Sequence, residues 1–368
     1  MATVYSATES HLKSLAYQHI LSVEQFTPEV LEALFSLTQR MDRQVALGQV
    51  EPLLANRVVA NVFYEASTRT DLSFQAATQR LGGRVITTAG GVSYSSVTKG
   101  ESLHDTIKTI ACYSDAIVLR HPTRGSAREA AVASDALRLS MHRPAPIMNA
   151  GDGTGEHPTQ ALLDLYTIKD RFGADIDGLT IGFLGDLRNG RTVHSLIKLL
   201  ALDHCHVKVV CIAPESLSMP TEYVEFARSR QMPVQETDDL QEVMGNLDVL
   251  YVTRVQRERF VAQQMDDLSA KIYGMPHDSL DAARRDALRP LAELNAAQEY
   301  MAARDTYVVD PMMLSQARKD MILLHPLPRV NEIPEEVDTD DRAYYFRQVQ
   351  NGLYIRMALL AAVLDCLH

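Results

Sequence analysis

This chain of 368 residues has few cysteines, no long apolar run and no surplus of positive charge. Its four cysteines lack the density and close pairing of a secreted disulfide framework, so we expect reduced thiols. No apolar run is long enough for a transmembrane helix, and the N-terminus lacks the basic region and apolar core of a signal peptide. We therefore expect a soluble, cytoplasmic protein.

The net charge of −11 disfavours nucleic acids and anionic membranes as partners, because the surfaces that bind them must be basic. The arginines in the motifs below are local exceptions to this acidic balance. Length and a hydrophobic fraction of 46% are sufficient for two packed cores.

Strand and helix patterns alternate along the chain, which predicts an α/β fold of two Rossmann-like domains, with parallel sheets flanked by helices. The predicted strands lie near 58–63, 84–88, 116–120, 145–149, 180–184, 207–212, 249–253 and 321–325. The predicted helices lie near 71–81, 102–113, 125–134, 159–171, 192–202, 221–231 and 348–367. The helix at 159–171 is expected to link the domains.

The segment Phe63 to Thr70 is typical of a phosphate-binding turn. It follows a short, β-branched run at 58–62 and precedes apolar residues at helical spacing, so Ser67 to Thr70 are expected to enter a helix. Free backbone N–H groups and the positive end of the helix dipole gather at such a turn. The side-chain hydroxyls of this turn and the guanidinium of Arg69 lie among them.

Further basic and polar motifs follow other predicted strands, where ligands bind in open α/β sheets. They are Lys99, Arg120-His121-Pro122, His157-Pro158-Thr159-Gln160, Arg191, Arg254-Val255-Gln256 and His325-Pro326-Leu327-Pro328-Arg329.

Six motifs occur in the order of a known family. They are Ser-Thr-Arg-Thr at 67–70, Arg-His-Pro at 120–122, His-Pro-Thr-Gln at 157–160, Gly-Asp-Leu at 185–187 with Gly-Arg-Thr-Val-His-Ser at 190–195, Thr-Arg-Val-Gln at 253–256 and His-Pro-Leu-Pro-Arg at 325–329. From about Gln18 to the C-terminus, the chain resembles the aspartate/ornithine carbamoyltransferase family, and within it the catalytic subunits that use aspartate.

The resemblance implies transfer of a carbamoyl group from carbamoyl phosphate to L-aspartate, in de novo pyrimidine (UMP) synthesis. It implies a carbamoyl phosphate-binding domain at 1–165, completed by a C-terminal helix at 346–368. An aspartate-binding domain is expected at 166–345, with a helical insertion near 266–304 that Pro290 should break into two pieces.

Such a transfer needs an anion site for phosphate and donors for the carbonyl oxygen. Ser67, Thr68, Arg69 and Thr70 are the candidates for phosphate, with Arg69 stabilising it as it leaves. Arg120 can bridge phosphate and carbonyl oxygen, because a planar guanidinium addresses two acceptors. His157, kept neutral at a helix start, is expected to donate to the same oxygen together with Thr70 and Arg120.

The carbamoyl NH2 group also needs acceptors. The Gln160 side chain is one candidate, and the resemblance implies the Leu327 carbonyl and the loop at Pro328 as others.

Aspartate carries two carboxylates. Arg191 and Arg254 are the candidates to bind them, because a guanidinium can form two parallel hydrogen bonds with a carboxylate. Gln256 is expected on the same side of an extended segment as Arg254 and is a further candidate for aspartate binding, as is Lys99. The segment His325 to Pro328 contains no cysteine, which favours aspartate over ornithine as the acceptor.

In the family, residues matching Ser95 and Lys99 reach into the neighbouring subunit's site. The resemblance therefore implies a homotrimer with shared active sites, and it leaves open whether regulatory or dihydroorotase-like chains join it. No metal or cofactor is expected. Residues 204–206 (His-Cys-His) alternate across a strand and lack a second ligand pair.

One departure from the family pattern concerns Asp71 and Gln75, where the family usually has arginine and an acidic residue. Both members of an i, i+4 pair differ together, without leaving an orphan charge. Asp71 could nevertheless pair with Arg69 or weaken anion binding. Two alternatives stay open: a carbamoyltransferase for another amino-acid acceptor, and a catalytically impaired homologue that acts in an assembly.

Overall fold

The structure is a computed structural model that describes residues 10–88, 100–137, 144–203, 206–255, 257–304 and 307–367. Two parallel sheets form its framework, and helices cover their faces. The predicted α/β fold with two parallel sheets is therefore confirmed.

The first sheet has four strands in the spatial order β2-β1-β3-β4, all parallel. The strands are β1 (Val58–Phe63), β2 (Arg84–Thr87), β3 (Ala116–His121) and β4 (Ile147–Asp152). The central strand β1 has five consecutive buried residues, as expected of a strand covered on both faces.

The second sheet has five parallel strands in the order β7-β6-β5-β8-β9. These are β5 (Thr180–Leu184), β6 (Lys208–Ile212), β7 (Val234–Thr237), β8 (Val249–Val252) and β9 (Ile322–Leu324). The sequence reading missed β7, because this edge strand is half exposed and carries three polar residues in a run of four.

Helices connect the strands and cover the sheets. In chain order they are α1 (Pro28–Ala46), α2 (Thr68–Arg80), α3 (Leu103–Ala111), α4 (Ser126–Asp135), α5 (Pro158–Phe172), α6 (Arg191–Leu202), α7 (Thr221–Ser229), α8 (Leu240–Met244), α9 (Arg257–Tyr273), α10 (Ala282–Arg304), α11 (Pro311–Leu314) and α12 (Tyr345–Val363). No helix in the described ranges is both long enough and apolar enough to cross a membrane.

Helices α5 and α12 lie at the centre of the molecule. Residues 158–168 of α5 are all buried, and α12 packs against α1, α2 and α5. The largest apolar cluster contains residues of both sheets and of these helices. The C-terminal helix thus returns to elements of the first sheet, which is the arrangement expected for it.

The insertion forms a helical pair. Helices α9 and α10 pack along each other around a small apolar core that includes Met265, Leu288 and Ala292. The prediction that Pro290 breaks this segment was wrong, because α10 continues through it. Leu288 and Ala292, on either side of the proline, are both buried, and this packing offsets the missing backbone hydrogen bond.

Replacing Pro290 with alanine is therefore expected to stabilise the protein. A proline in a helix interior costs about 3 kcal/mol, partly offset by the larger chain entropy of the unfolded alanine variant, so we expect a gain of about 1 to 2 kcal/mol. Urea unfolding measures it, with Pro276→Ala in the preceding loop as control. A loss of stability in Pro290→Ala would contradict this account of the helix.

Candidate active site

A cavity of about 460 Å³ opens beside the carboxyl ends of strands from both sheets. It brings together all the predicted site residues that the structure describes. They are Ser67, Thr68, Arg69, Thr70, Arg120, His157, Gln160, Arg191, Arg254, Leu327 and Pro328. Ser95, Lys99 and Gln256 lie outside the described residues.

The first turn of α2, which is predicted to bind phosphate, forms one wall of the cavity. Strand β1 ends at Phe63, and α2 begins at Thr68 with Ser67 in the N-cap position. The Ser67 side chain makes no capping hydrogen bond to this helix, so its hydroxyl is not committed to the backbone there. The first N–H groups of a helix have no intrahelical acceptor, which suits them to an anion.

Arginines concentrate positive charge in the cavity. Burial and the neighbouring Arg254 lower the pKa of Arg69. Burial, chiefly, and then Arg191 lower the pKa of Arg120 to about 10. Arginine stays protonated at neutral pH, and guanidinium groups held this close together repel one another. A bound anion would relieve that repulsion.

Glu65 holds two of these arginines in place. Its Oε2 lies 3.1 Å from Arg120 Nη2 and 3.1 Å from Arg191 Nη2. Arg191 Nη1 also donates to the Gly153 carbonyl at 2.8 Å. The guanidinium packs on Gly151, which has φ +116°, and a Cβ there would lie 3.0 Å from Arg191 Cζ. The sequence reading assigned no role to Glu65, although it is the only carboxylate in the segment from Phe63 to Thr70.

His157 is buried at the N-terminus of α5, directly before Pro158. Its backbone N–H donates to Ser195 Oγ at 3.1 Å, which fixes the loop against α6. Burial, followed by Arg191 and Arg120, holds the pKa of His157 well below its usual value. The imidazole is therefore neutral, and burial is the largest cause of the shift.

The loop after β9 closes another side of the cavity. His325 is buried, its Nδ1 accepts from Leu327 N–H at 2.7 Å, and its Nε2 lies 2.9 Å from Glu332 Oε1. These bonds hold Leu327 in a left-handed conformation with φ +54°. The ring thereby acts as a brace for the loop that carries Leu327 and Pro328.

Asp71 does not line the cavity. Its Oδ1 accepts from Asn61 Nδ2 at 2.8 Å and from Gln75 Nε2 at 2.9 Å. Positions 71 and 75, which are i, i+4 neighbours on α2, are thus joined by a hydrogen bond. Because the carboxylate is held on the β1 side of α2, it is not the ion-pair partner of Arg69 that its position in the sequence suggested.

The buried state of His157 predicts a pH effect on stability. An unfolded histidine takes up a proton below about pH 6.5, whereas folded His157 does not, so its contribution falls as the pH drops through that value. The difference in unfolding free energy between wild type and His157→Gln should shrink by at most about 1.4 kcal/mol per pH unit. Urea unfolding across a pH series tests this, with the partly exposed His104→Gln as control. A difference that grows on acidification would contradict it.

The chain is similar to a known family and to several known proteins. The carbamoyl-P binding domain of aspartate/ornithine carbamoyltransferases matches residues 18–170, and their Asp/Orn binding domain matches residues 177–363. Multifunctional protein pyr1-3 of Dictyostelium discoideum is 43% identical over 98% of this chain, which spans 14% of that relative's length. An Arabidopsis thaliana protein named aspartate carbamoyltransferase, chloroplastic, is 41% identical over 96% of this chain and 79% of its own length.

Solved structures agree with these matches. Aspartate transcarbamoylase from Trypanosoma cruzi, in complex with carbamoyl phosphate and aspartate, is 39% identical and superposes with a TM-score of 0.80, covering 96% of this chain and 98% of the other. The family matches extend over most of the described structure and include every described site residue. The chain therefore belongs to the aspartate/ornithine carbamoyltransferase family.

Proposed function

We propose that the protein transfers the carbamoyl group of carbamoyl phosphate to the amino group of L-aspartate, giving N-carbamoyl-L-aspartate and phosphate, in pyrimidine biosynthesis. The observation that carries this proposal is the convergence of Arg69, Arg120, Arg191 and Arg254 on one cavity. A trianionic pair of substrates, an acyl phosphate and a dicarboxylic amino acid, calls for such a concentration of guanidinium groups. The relative from Arabidopsis thaliana and the Trypanosoma cruzi structures support the choice of substrates.

In this mechanism the phosphate of carbamoyl phosphate binds the first turn of α2, at Ser67, Thr68, Arg69 and Thr70. Arg120 addresses both the phosphate and the carbonyl oxygen. Thr70 and neutral His157 donate to that oxygen, on which negative charge develops when the amine attacks. One such donor contributes roughly 3 kcal/mol to lowering the barrier.

The amine nitrogen forms a bond to the carbonyl carbon, and the bond from that carbon to the phosphate oxygen breaks. The departing phosphate accepts the amine proton, while Arg69 stabilises its growing charge. Substrates held close and aligned gain roughly 7 to 11 kcal/mol from proximity. Positioning is thus the main source of catalysis, and the mechanism needs no separate protein base.

Arg191 and Arg254 bind the two carboxylates of aspartate, and Gln256 completes that subsite. Gln160, Leu327 and Pro328 bind the carbamoyl NH2 group. We divide the chain into a carbamoyl phosphate domain at 1–165 with 346–368, and an aspartate domain at 166–345. The packing of α12 against α1 and α2 supports this division.

We further propose a cytoplasmic homotrimer in which Ser95 and Lys99 complete a neighbouring subunit's site. The relatives of the multifunctional type suggest that further enzyme domains or chains act beside it. Neither Arg69→Ala nor Lys99→Ala chains should be active alone, whereas mixed trimers should recover part of the activity, because some sites then receive both residues. Mixing and reassembly, followed by assay, tests the shared site, and the absence of rescue would contradict it.

The reaction itself is tested with purified protein and labelled carbamoyl phosphate. Carbamoyl aspartate should form, and a panel of other amino acids, including ornithine, should give little product. Transfer to another acceptor would support the alternative carbamoyltransferase, and no transfer at saturating substrates would support the impaired homologue. Asp71→Arg tests the impaired-homologue alternative directly. A gain in activity of several orders of magnitude in this variant would mark the natural protein as impaired.

A further inference from the structure

Asp164 is a fully buried carboxylate next to the cavity, and the mechanism above does not use it. It lies on α5, one turn after Gln160. Three side chains donate to it: Gln160 Nε2 to Oδ1 at 2.9 Å, Gln348 Nε2 to Oδ1 at 2.6 Å and the Tyr251 hydroxyl to Oδ2 at 2.9 Å. These donors lie on α5, on α12 and on strand β8 of the second sheet. Burying a carboxylate is costly, so a position of this kind needs a physical reason.

The charge state of Asp164 follows from the same surroundings. Burial raises the pKa of Asp164 to about 7, while the three donors and the buried guanidinium of Arg356 oppose that rise. In mildly alkaline solution the group is therefore an ionised carboxylate. An ionised carboxylate accepts hydrogen bonds and cannot donate one.

This fixes the orientation of two amide groups. The Gln160 amide must turn its NH2 toward Asp164, which leaves its carbonyl oxygen for the cavity that Gln160 lines. The Gln348 amide must do the same, and its Oε1 accepts the backbone N–H of His325 at 2.9 Å. The second amide thereby anchors the loop that carries the Leu327 carbonyl. The carboxylate thus turns the Gln160 oxygen toward the place where a carbamoyl group would lie, whereas the Gln348 oxygen is already bonded to His325 N–H.

We propose that Asp164 is a positioning residue that makes the site select a carbamoyl group over an acetyl group. The inference rests on the proposed function, in which the Gln160 side-chain oxygen accepts a hydrogen bond from the carbamoyl NH2 group. An NH2 group donates to the oriented oxygen, whereas a methyl group of similar size leaves that oxygen without a donor. If the Gln160 amide is free to turn, its NH2 can face the cavity as well and the selectivity falls.

Two stable phosphonates test this without turnover. Phosphonoacetamide carries the carbamoyl NH2, and acetonylphosphonate carries a methyl group in its place. Calorimetric titration above the pKa of Asp164 should show that the wild type prefers the amide. Asp164→Asn, whose side chain can present either an oxygen or an NH2, should lower this preference about tenfold, mainly by weakening the binding of phosphonoacetamide.

The matched control is Thr167→Val, a similarly buried polar position one turn further along α5, where Thr167 Oγ1 donates to the Leu163 carbonyl. It should leave the preference unchanged. Gln160→Ala should lose the preference, and adding Asp164→Asn should then change it no further, because the carboxylate acts through that amide.

Equal weakening of both phosphonates by Asp164→Asn, or an effect that persists in the Gln160→Ala background, would overturn the inference. A wild type that prefers the amide but forms no carbamoyl aspartate would refute the proposed acceptor and leave the role of Asp164 standing. Binding of neither phosphonate by the wild type would overturn both.

Discussion

Arg69→Ala is expected to lower kcat by about 10³ or more while leaving the fold intact, because removal of one preorganised charge at a developing oxyanion has effects of that size. Arg69 belongs to the first turn of α2 and lines the cavity beside Arg254. Its side chain is partly exposed and lines the cavity, so truncation removes charge without leaving a void in a packed core. Steady-state assays at saturating substrates measure the loss.

Arg80→Ala is the control for this experiment, since Arg80 lies in the last turn of the same helix and does not line the cavity. It should keep nearly full activity. If Arg69→Ala retained a kcat within a fewfold of the wild type, the assignment of the α2 turn to the leaving phosphate would be wrong.

Arg120→Met is the second substitution for which we expect a large effect. Arg120 lies at the end of β3, largely buried, with Glu65 and the Ala150 carbonyl as hydrogen-bonding partners. Methionine keeps much of the apolar stem but cannot address phosphate and carbonyl oxygen together. We expect kcat/KM for carbamoyl phosphate to fall by about 10³, with a loss in kcat as well as in binding.

Arg57→Met is the matched control. Arg57 directly precedes β1, at the amino ends of the strands and away from the cavity, and it pairs with Asp115 at 3.1 Å. A partly exposed pair of this kind contributes little, so activity should stay near the wild-type level. Losses of equal size in the two variants would show that Arg120 supports the sheet rather than the reaction.

The predicted site motifs lie together in the structure because they follow parallel strands. The carboxyl ends of parallel strands meet at one edge of a sheet, so motifs that follow β1, β3 and β4 must lie near one another. The cavity accordingly contains Arg69, Arg120 and His157 together. The roles given to these side chains stay predictions until the variants are assayed.

The sequence reading failed where long-range packing overrides a local rule. Pro290 breaks isolated helices, but Leu288 and Ala292 are buried on both sides of it and α10 continues. Asp71 has the position of a possible partner for Arg69, but Asn61 on the adjacent strand binds its carboxylate.

The sequence by itself determined the alternation of strands and helices, the place of the turn that we propose binds phosphate, and the kinds of side chain available to the reaction. These depend on periodicity and on residues adjacent in the chain. Only the tertiary structure decided that Glu65 spans Arg120 and Arg191 and that Asp164 orients Gln160 and Gln348. Glu65 and Arg191, like Asp164 and Gln348, are more than one hundred residues apart, and no local pattern specifies which distant partner a carboxylate meets.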